Sequence, residues 1–228
     1  MSENQSLRGD RITVEVWDAP VRVFHWVLVA LVTLSVSTGY LAGNAMRWHV
    51  WSGCAILALL IFRVLWGIAG STYARFAHFV RGPRAVRDYA RGLLSRKPSY
   101  TIGHNPLGGW MVVLLLASLA LQVGTGLFAN DDFATEGPLY PKVSKALSDT
   151  LSAVHQASAV ALLVLIGLHV AAVLYYFLYK RENLVSPMIT GTKQVPARAL
   201  PPARFPGLAR AAAAAIVSAA ALYAILNF

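Results

Sequence analysis

Hydrophobic positions along the chain fall into five long runs separated by polar connectors. The runs cover residues 23–42, 50–69, 107–129, 151–179 and 208–228. Each is near or above the ~20 residues that cross a bilayer as a helix. The pattern predicts an all-α membrane protein, with a four-helix transmembrane bundle over 23–179 and a fifth, C-terminal transmembrane helix at 208–228. Residues 1–22 form a polar head. Residues 180–207 carry Pro187, Pro196, Pro201, Pro202 and Pro206 and read as a linker. The fifth run is rich in alanine, with Ala211 to Ala215 consecutive, a composition that permits close helix contact but adds little hydrophobic drive. In the connector 70–106, Pro83 is placed to open a short helix. Val86, Tyr89, Ala90 and Leu93 recur there at helical spacing between arginines, as in a segment lying on a membrane surface against lipid.

Composition supports this reading. Hydrophobic residues make up 57% of the 228 and charged residues 13%, about half the charged share of soluble domains, ~25%. A water-soluble globular protein of this length is therefore not expected. The single cysteine, Cys54, excludes an intrachain disulfide, a four-cysteine iron–sulfur cluster and a c-type haem attachment motif. The head is mixed in charge and is followed by a run of full span length, so it does not read as a secretory leader.

The formal net charge is +10, which in a soluble protein would suggest nucleic acid. Here the basic residues sort by side instead. Sixteen of the twenty Lys and Arg lie in the head, in the connector 70–106 and in the segment 180–210, including Arg210. The connector near 43–49 holds only Arg47, and the connector 130–150 holds Lys142 and Lys145 beside Asp131, Asp132, Glu136 and Asp149. Cytoplasmic loops concentrate Lys and Arg. The expected location is a bacterial inner membrane with the N-terminus cytoplasmic and, with five spans, the C-terminus periplasmic. No nucleic-acid partner is expected.

Ionisable residues inside spans are costly and point to function. His155 and His169 share the fourth run, 14 residues apart, within about 40° of one helix face and ~21 Å along it. His25 and His49 lie on the hairpin of the first two runs, about 18 and 5 residues from its bend near Gly43 and Asn44. Their depths differ by ~20 Å. The two separations agree, so His25 pairs in depth with His169 at an inner level, and His49 with His155 at an outer one. Taken singly, a histidine near a span end is more often interfacial. Two pairs at two depths suit two bis-histidine haems in a bundle. Histidines ~20 Å apart cannot share one zinc ion, and Cys or carboxylate co-ligands are absent from the runs.

The other polar candidates keep two readings each. Arg63 is either a snorkelling side chain or a partner for an inner haem propionate or a quinone headgroup. Arg22 is interfacial or serves a propionate. Arg47 is the outer propionate candidate, while Trp48 and Trp51 fit an aromatic belt. His78 and His104 read as surface or propionate-side residues, and Met46 and Met111 as packing. Among the span glycines 39, 53, 124, 126 and 167, Gly53 is placed best to let backbone approach a porphyrin face.

These residues carry a resemblance. Residues 16–26, Val-Trp-Asp-Ala-Pro-Val-Arg-Val-Phe-His-Trp, resemble the start of the first helix in the bacterial cytochrome b561 family, which includes the b-type cytochrome subunit of nickel–iron hydrogenases. Arg47-Trp48-His49 through Arg63 resembles its second helix, Gly103 to Gly108 the start of its third, and His155 through His169 its fourth. The likeness covers about residues 12–190. It implies a four-helix bundle holding two haem b groups, with His25, His49, His155 and His169 as axial ligands, passing electrons to or from quinone. The fifth run and the Pro-rich segment depart from the four-helix pattern.

Three functions follow as expectations. The first is a di-haem cytochrome carrying electrons between quinone or quinol and a redox protein, a c-type cytochrome or dehydrogenase subunit, docked on the outer face. The second is a stand-alone quinone oxidoreductase using a small species such as superoxide, as some relatives in the family do. The third is a non-redox metal-binding membrane protein. Bis-histidine iron has no open position, so turnover in either redox case is outer-sphere.

Overall fold

A computed structural model of the chain describes residues 11–96, 101–196 and 203–227. Arg8, Lys97, Arg198, Pro201, Pro202 and the last residue of the expected fifth span lie outside these. The elements run β1 (Arg11–Glu15), α1 (Ala19–Leu41), α2 (Met46–Ala69), α3 (Phe76–Phe79), α4 (Pro83–Arg91), α5 (Pro106–Gly126), α6 (Lys145–Leu178), α7 (Val185–Thr190), β2 (Thr192–Pro196) and α8 (Leu208–Asn227). Five helices are long and apolar enough to cross a membrane. Their large apolar side chains are widely exposed, Val23 and Val160 at 62%, as lipid-facing surfaces are.

Local chemistry sets the helix starts. Asp18 caps α1, its Oδ1 accepting the Val21 N–H at 2.8 Å, with proline in the first turn. Asn105 caps α5 in the same way through Gly108 N–H at 2.8 Å, again ahead of a proline. Ser144 caps α6. That cap lies seven residues before the apolar run expected to begin at 151. Apolar periodicity marks where lipid begins, not where the helix begins, so α6 at 34 residues is about 51 Å long and outreaches the ~30 Å hydrocarbon layer.

Helices α1 and α2 form one hairpin and α5 and α6 another, with α2 against α5 and α8 against α2. The centre is an apolar layer of Ile56, Leu60, Leu119, Val123 and Leu162, flanked by side chains of α1 such as Leu28 and Leu31.

The segment 180–207, expected as a linker, is partly ordered structure. Strand β2 pairs antiparallel with β1, Glu15 opposite Thr192 and Arg11 opposite Pro196. Gly191, at φ +88°, ends α7, and its carbonyl accepts the N–H groups of Val16 and Trp17. Prolines are tolerated in a short two-stranded ribbon because its outer edges need no ladder donors. The ribbon places the chain before α1 and the chain after α6 at one end of the bundle. There Val16, Trp17, Val21, Trp66, Tyr73 and Ala74 form a second buried cluster. Asp18 ties this end together, since its Oδ2 accepts the indole N–H of the fully buried Trp66 at 3.0 Å.

Candidate functional site

Two of the four span histidines, His49 and His155, meet. The rings of His49 on α2 and His155 on α6 lie 5.9 Å apart, centroid to centroid, nearly perpendicular. His49 Nδ1 is 2.8 Å from the carbonyl of Ser35, and His155 Nδ1 is 2.8 Å from the carbonyl of Gln122. A carbonyl only accepts, so each Nδ1 is the donor, and the neutral ring keeps its lone pair on Nε2. Glycines make room for both rings: a Cβ on Gly39 would sit 3.0 Å from His49 Nδ1, and one on Gly126 2.8 Å from His155 Cε1. Gly53, the glycine that the sequence places best for backbone approach to a porphyrin face, would bring its Cβ within 4 Å of no protein atom.

The structure also supplies Gln122, Ser158 and Ser35, which sequence reading passed over. Ser158 Oγ donates to Gln122 Oε1 at 2.5 Å. The Gln122 amide nitrogen is nearly equidistant from the two His155 ring nitrogens, at 3.2 and 3.1 Å, within hydrogen-bond reach of the Nε2 lone pair. A glutamine in the middle of an apolar run was the available signal, because such a group must find a partner.

At the other end, His25 on α1 and His169 on α6 lie within electrostatic reach of each other. His25 Nδ1 is sealed from solvent without a hydrogen-bond partner, and its ring stands edge-on to Trp26 at 5.0 Å. Arg63 does not snorkel. It is 3% exposed, its Nη2 donates to the Ala74 carbonyl at 3.1 Å, and its Cζ lies 5.0 Å from the Phe76 ring centroid. The loop after α2 folds back under the helix and covers it, which no property of the α2 sequence announces. Its Nη1 is buried without a partner.

His104, expected at the surface or on the propionate side, is not at the surface but enclosed between Trp17 and Phe79, each ring centroid 4.7 Å away. Burial, and then the nearby Arg63, His169 and His78, push its pKa down to about 3. His78 packs edge-on to Tyr73 and is likewise lowered, by burial and by Arg81 and Arg75. Arg22 is held by the Ile189 carbonyl at 2.5 Å, and its Nε is buried without a partner. Arg47 is exposed with its Cζ 5.3 Å from the Trp48 ring centroid.

Residues 16–191 match the model of the prokaryotic cytochrome b561 family. The chain belongs to that family. Within it, the chain is 24% identical to the probable Ni/Fe-hydrogenase B-type cytochrome subunit of Bradyrhizobium diazoefficiens, over 81% of this chain and 87% of the relative. It is 27% identical to the corresponding subunit of Azotobacter chroococcum, over 78% and 87%. The identity to the probable Ni/Fe-hydrogenase 1 B-type cytochrome subunit of Escherichia coli is 26%, over 40% and 49%. No solved structure matches the chain. As a b561 protein with five spanning helices, it is a multi-pass bacterial membrane protein that transfers electrons through b-type haem.

The residues present fit that cofactor. A bis-histidine haem needs two imidazoles with free Nε2 lone pairs, a second group fixing each ring, and space between the helices that carry them. At the outer level both rings are fixed through Nδ1. The backbones of α2 and α6 make few close contacts, and His49 and His155 face each other across that gap. Among the described residues no three His, Cys, Asp or Glu side chains come together as a site for a free metal ion.

Proposed function

We propose that this b561 protein is a di-haem electron carrier between the quinone pool and a hydrogenase-type redox partner. His25 and His169 hold one haem at the basic end of the bundle, and His49 and His155 hold the other at the opposite end. The observation that supports this reading is the approach of the His49 and His155 rings to 5.9 Å, with His25 and His169 within electrostatic reach of each other. Bound between two imidazoles, haem b supplies a one-electron couple with no open coordination position.

The chain's own residues do the rest. Ser35 and Gln122 carbonyls orient the outer imidazoles. Ile56, Leu60, Leu119, Val123 and Leu162 keep water from the layer between the two levels. Arg63 Nη1 and Arg22 Nε, buried and unpartnered, are suited to meet a propionate or a quinone headgroup at the inner level. The excess of Lys and Arg at that end supports a cytoplasmic N-terminus and inner level, and therefore a partner docking periplasmically. The relatives' names, probable Ni/Fe-hydrogenase B-type cytochrome subunits that the chain matches over 87% of their length, support a hydrogenase as that partner.

The test is a reduced-minus-oxidised spectrum with haem quantitation on purified protein, followed by hydrogen-dependent haem reduction in membranes. The expected result is a b-type α band, two haems per chain and reduction by hydrogen. One haem per chain removes the di-haem reading. Reduction by superoxide, but not by hydrogen with hydrogenase present, replaces the partner with a small reductant.

A further inference from the structure

Helix α4 is placed as a fixed shelf across the basic ends of α5 and α6. The Trp110 indole of α5 donates to the Arg81 carbonyl at 2.9 Å. From α6, Tyr176 pairs with Tyr89 at 2.6 Å, Tyr175 donates to the Leu93 carbonyl at 2.7 Å, and Tyr179 to the Leu94 carbonyl at 2.8 Å. Hydrogen bonds at both ends hold a nine-residue helix that would be marginal alone.

Arg84, Arg87 and Arg91 are spaced i, i+3 and i+7, so they share one face, and all three are exposed. Asp88 lies in the same stripe, 3.3 Å from Arg91 and 3.8 Å from Arg87. One carboxylate cannot neutralise three guanidinium groups. Directly beside the stripe, α4 and α5 leave an open groove of about 330 Å³ lined by Pro83, Val86, Arg87 and Trp110. Its walls are apolar except for the Arg87 guanidinium. Trp110 sits in the first two turns of a spanning helix, at the level where a bilayer changes from headgroup to acyl chain.

We propose that this groove and stripe form a binding site for one anionic glycerophospholipid. The acyl chain lies against Val86 and Trp110, and the phosphate is held by Arg87 and Arg84, whose planar guanidinium groups suit bidentate phosphate contact. The net positive stripe selects a net negative headgroup over a zwitterionic one. The site is independent of the haem assignment, since no histidine and no residue of α1 or α2 takes part.

Native mass spectrometry of the purified protein from micelles holding equal phosphatidylglycerol and phosphatidylcholine tests this. The expected result is retention of phosphatidylglycerol in excess. Arg84→Gln/Arg87→Gln/Arg91→Gln lowers that retention on the order of 100-fold, from the contribution typical of each basic residue near a charged membrane surface. Val86→Trp, which fills the groove and keeps the arginines, also lowers it. Equal retention of the two lipids by the wild-type protein overturns the proposal, and that comparison stands even where the triple variant fails to fold. Displacement by free glycerol phosphate as effective as by short-chain phosphatidylglycerol overturns it too, because the groove then contributes nothing. Unchanged lipid retention in a triple variant that no longer copurifies with a redox partner makes the stripe a protein-docking surface instead.

Discussion

The rings of His49 and His155 lie 5.9 Å apart, and each has its Nδ1 turned to a backbone carbonyl of the neighbouring helix in its own hairpin. Ser35 on α1 orients the ring on α2, and Gln122 on α5 orients the ring on α6. Each hairpin thus presents one imidazole in a fixed tautomer to the other hairpin.

That relationship predicts the outcome of four alanine substitutions. His49→Ala and His155→Ala remove the same haem component from a potentiometric titration, and His25→Ala and His169→Ala remove the other. Haem content falls by about half in each, since an iron losing one of two axial imidazoles is poorly retained. Loss of one shared component in His25→Ala and His155→Ala contradicts the pairing.

The glycine behind each outer ring predicts a steric effect. Gly126→Val places side-chain atoms where the His155 ring stands, with its Cβ alone already 2.8 Å from Cε1. The expected result is loss of the outer haem component with the inner one intact.

Arg63 carries a charge at the inner end only. Replacing it with Gln removes positive charge near the inner site and favours the oxidised, more positive state there. The inner component's reduction potential falls while the outer one is unmoved. A potentiometric titration followed in the visible bands reads both at once.

Asp18 predicts a stability change. Asp18→Ala removes the α1 cap, worth about 1 kcal/mol, and leaves the Trp66 indole N–H buried without an acceptor, worth a further ~1–3 kcal/mol. Asp18→Asn keeps an acceptor oxygen for only one of the two donors, since its amide nitrogen cannot accept, and costs less than Asp18→Ala. Unfolding followed by helical circular dichroism in detergent orders the three proteins.

His104 predicts a pH dependence. Its imidazole titrates near 6.5 when unfolded and near 3 when folded, so between those values the unfolded chain binds the extra proton. Its contribution is complete above about pH 6.5 and is lost progressively as pH falls toward 3. The melting temperature drops between pH 7.5 and 4.5, and His104→Phe shows a smaller drop. Equal drops in both proteins contradict the assignment.

The sequence by itself determined the five spanning helices, because ~20 consecutive apolar residues have few alternatives to a membrane helix. It also brought out the four histidines, because an ionisable group inside an apolar run stands out and its depth follows from a fixed rise per residue. Helical phase does not say what lies across from a residue, so only the tertiary structure decided the rest. It folded the 70–82 loop under α2, burying Arg63 against Phe76. It enclosed His104 between Trp17 and Phe79 and turned a proline-rich linker into a strand paired with the chain's own beginning. It also set Gly39 and Gly126 behind the imidazoles. Each depends on contacts between residues far apart in the chain, and local periodicity carries no information about those.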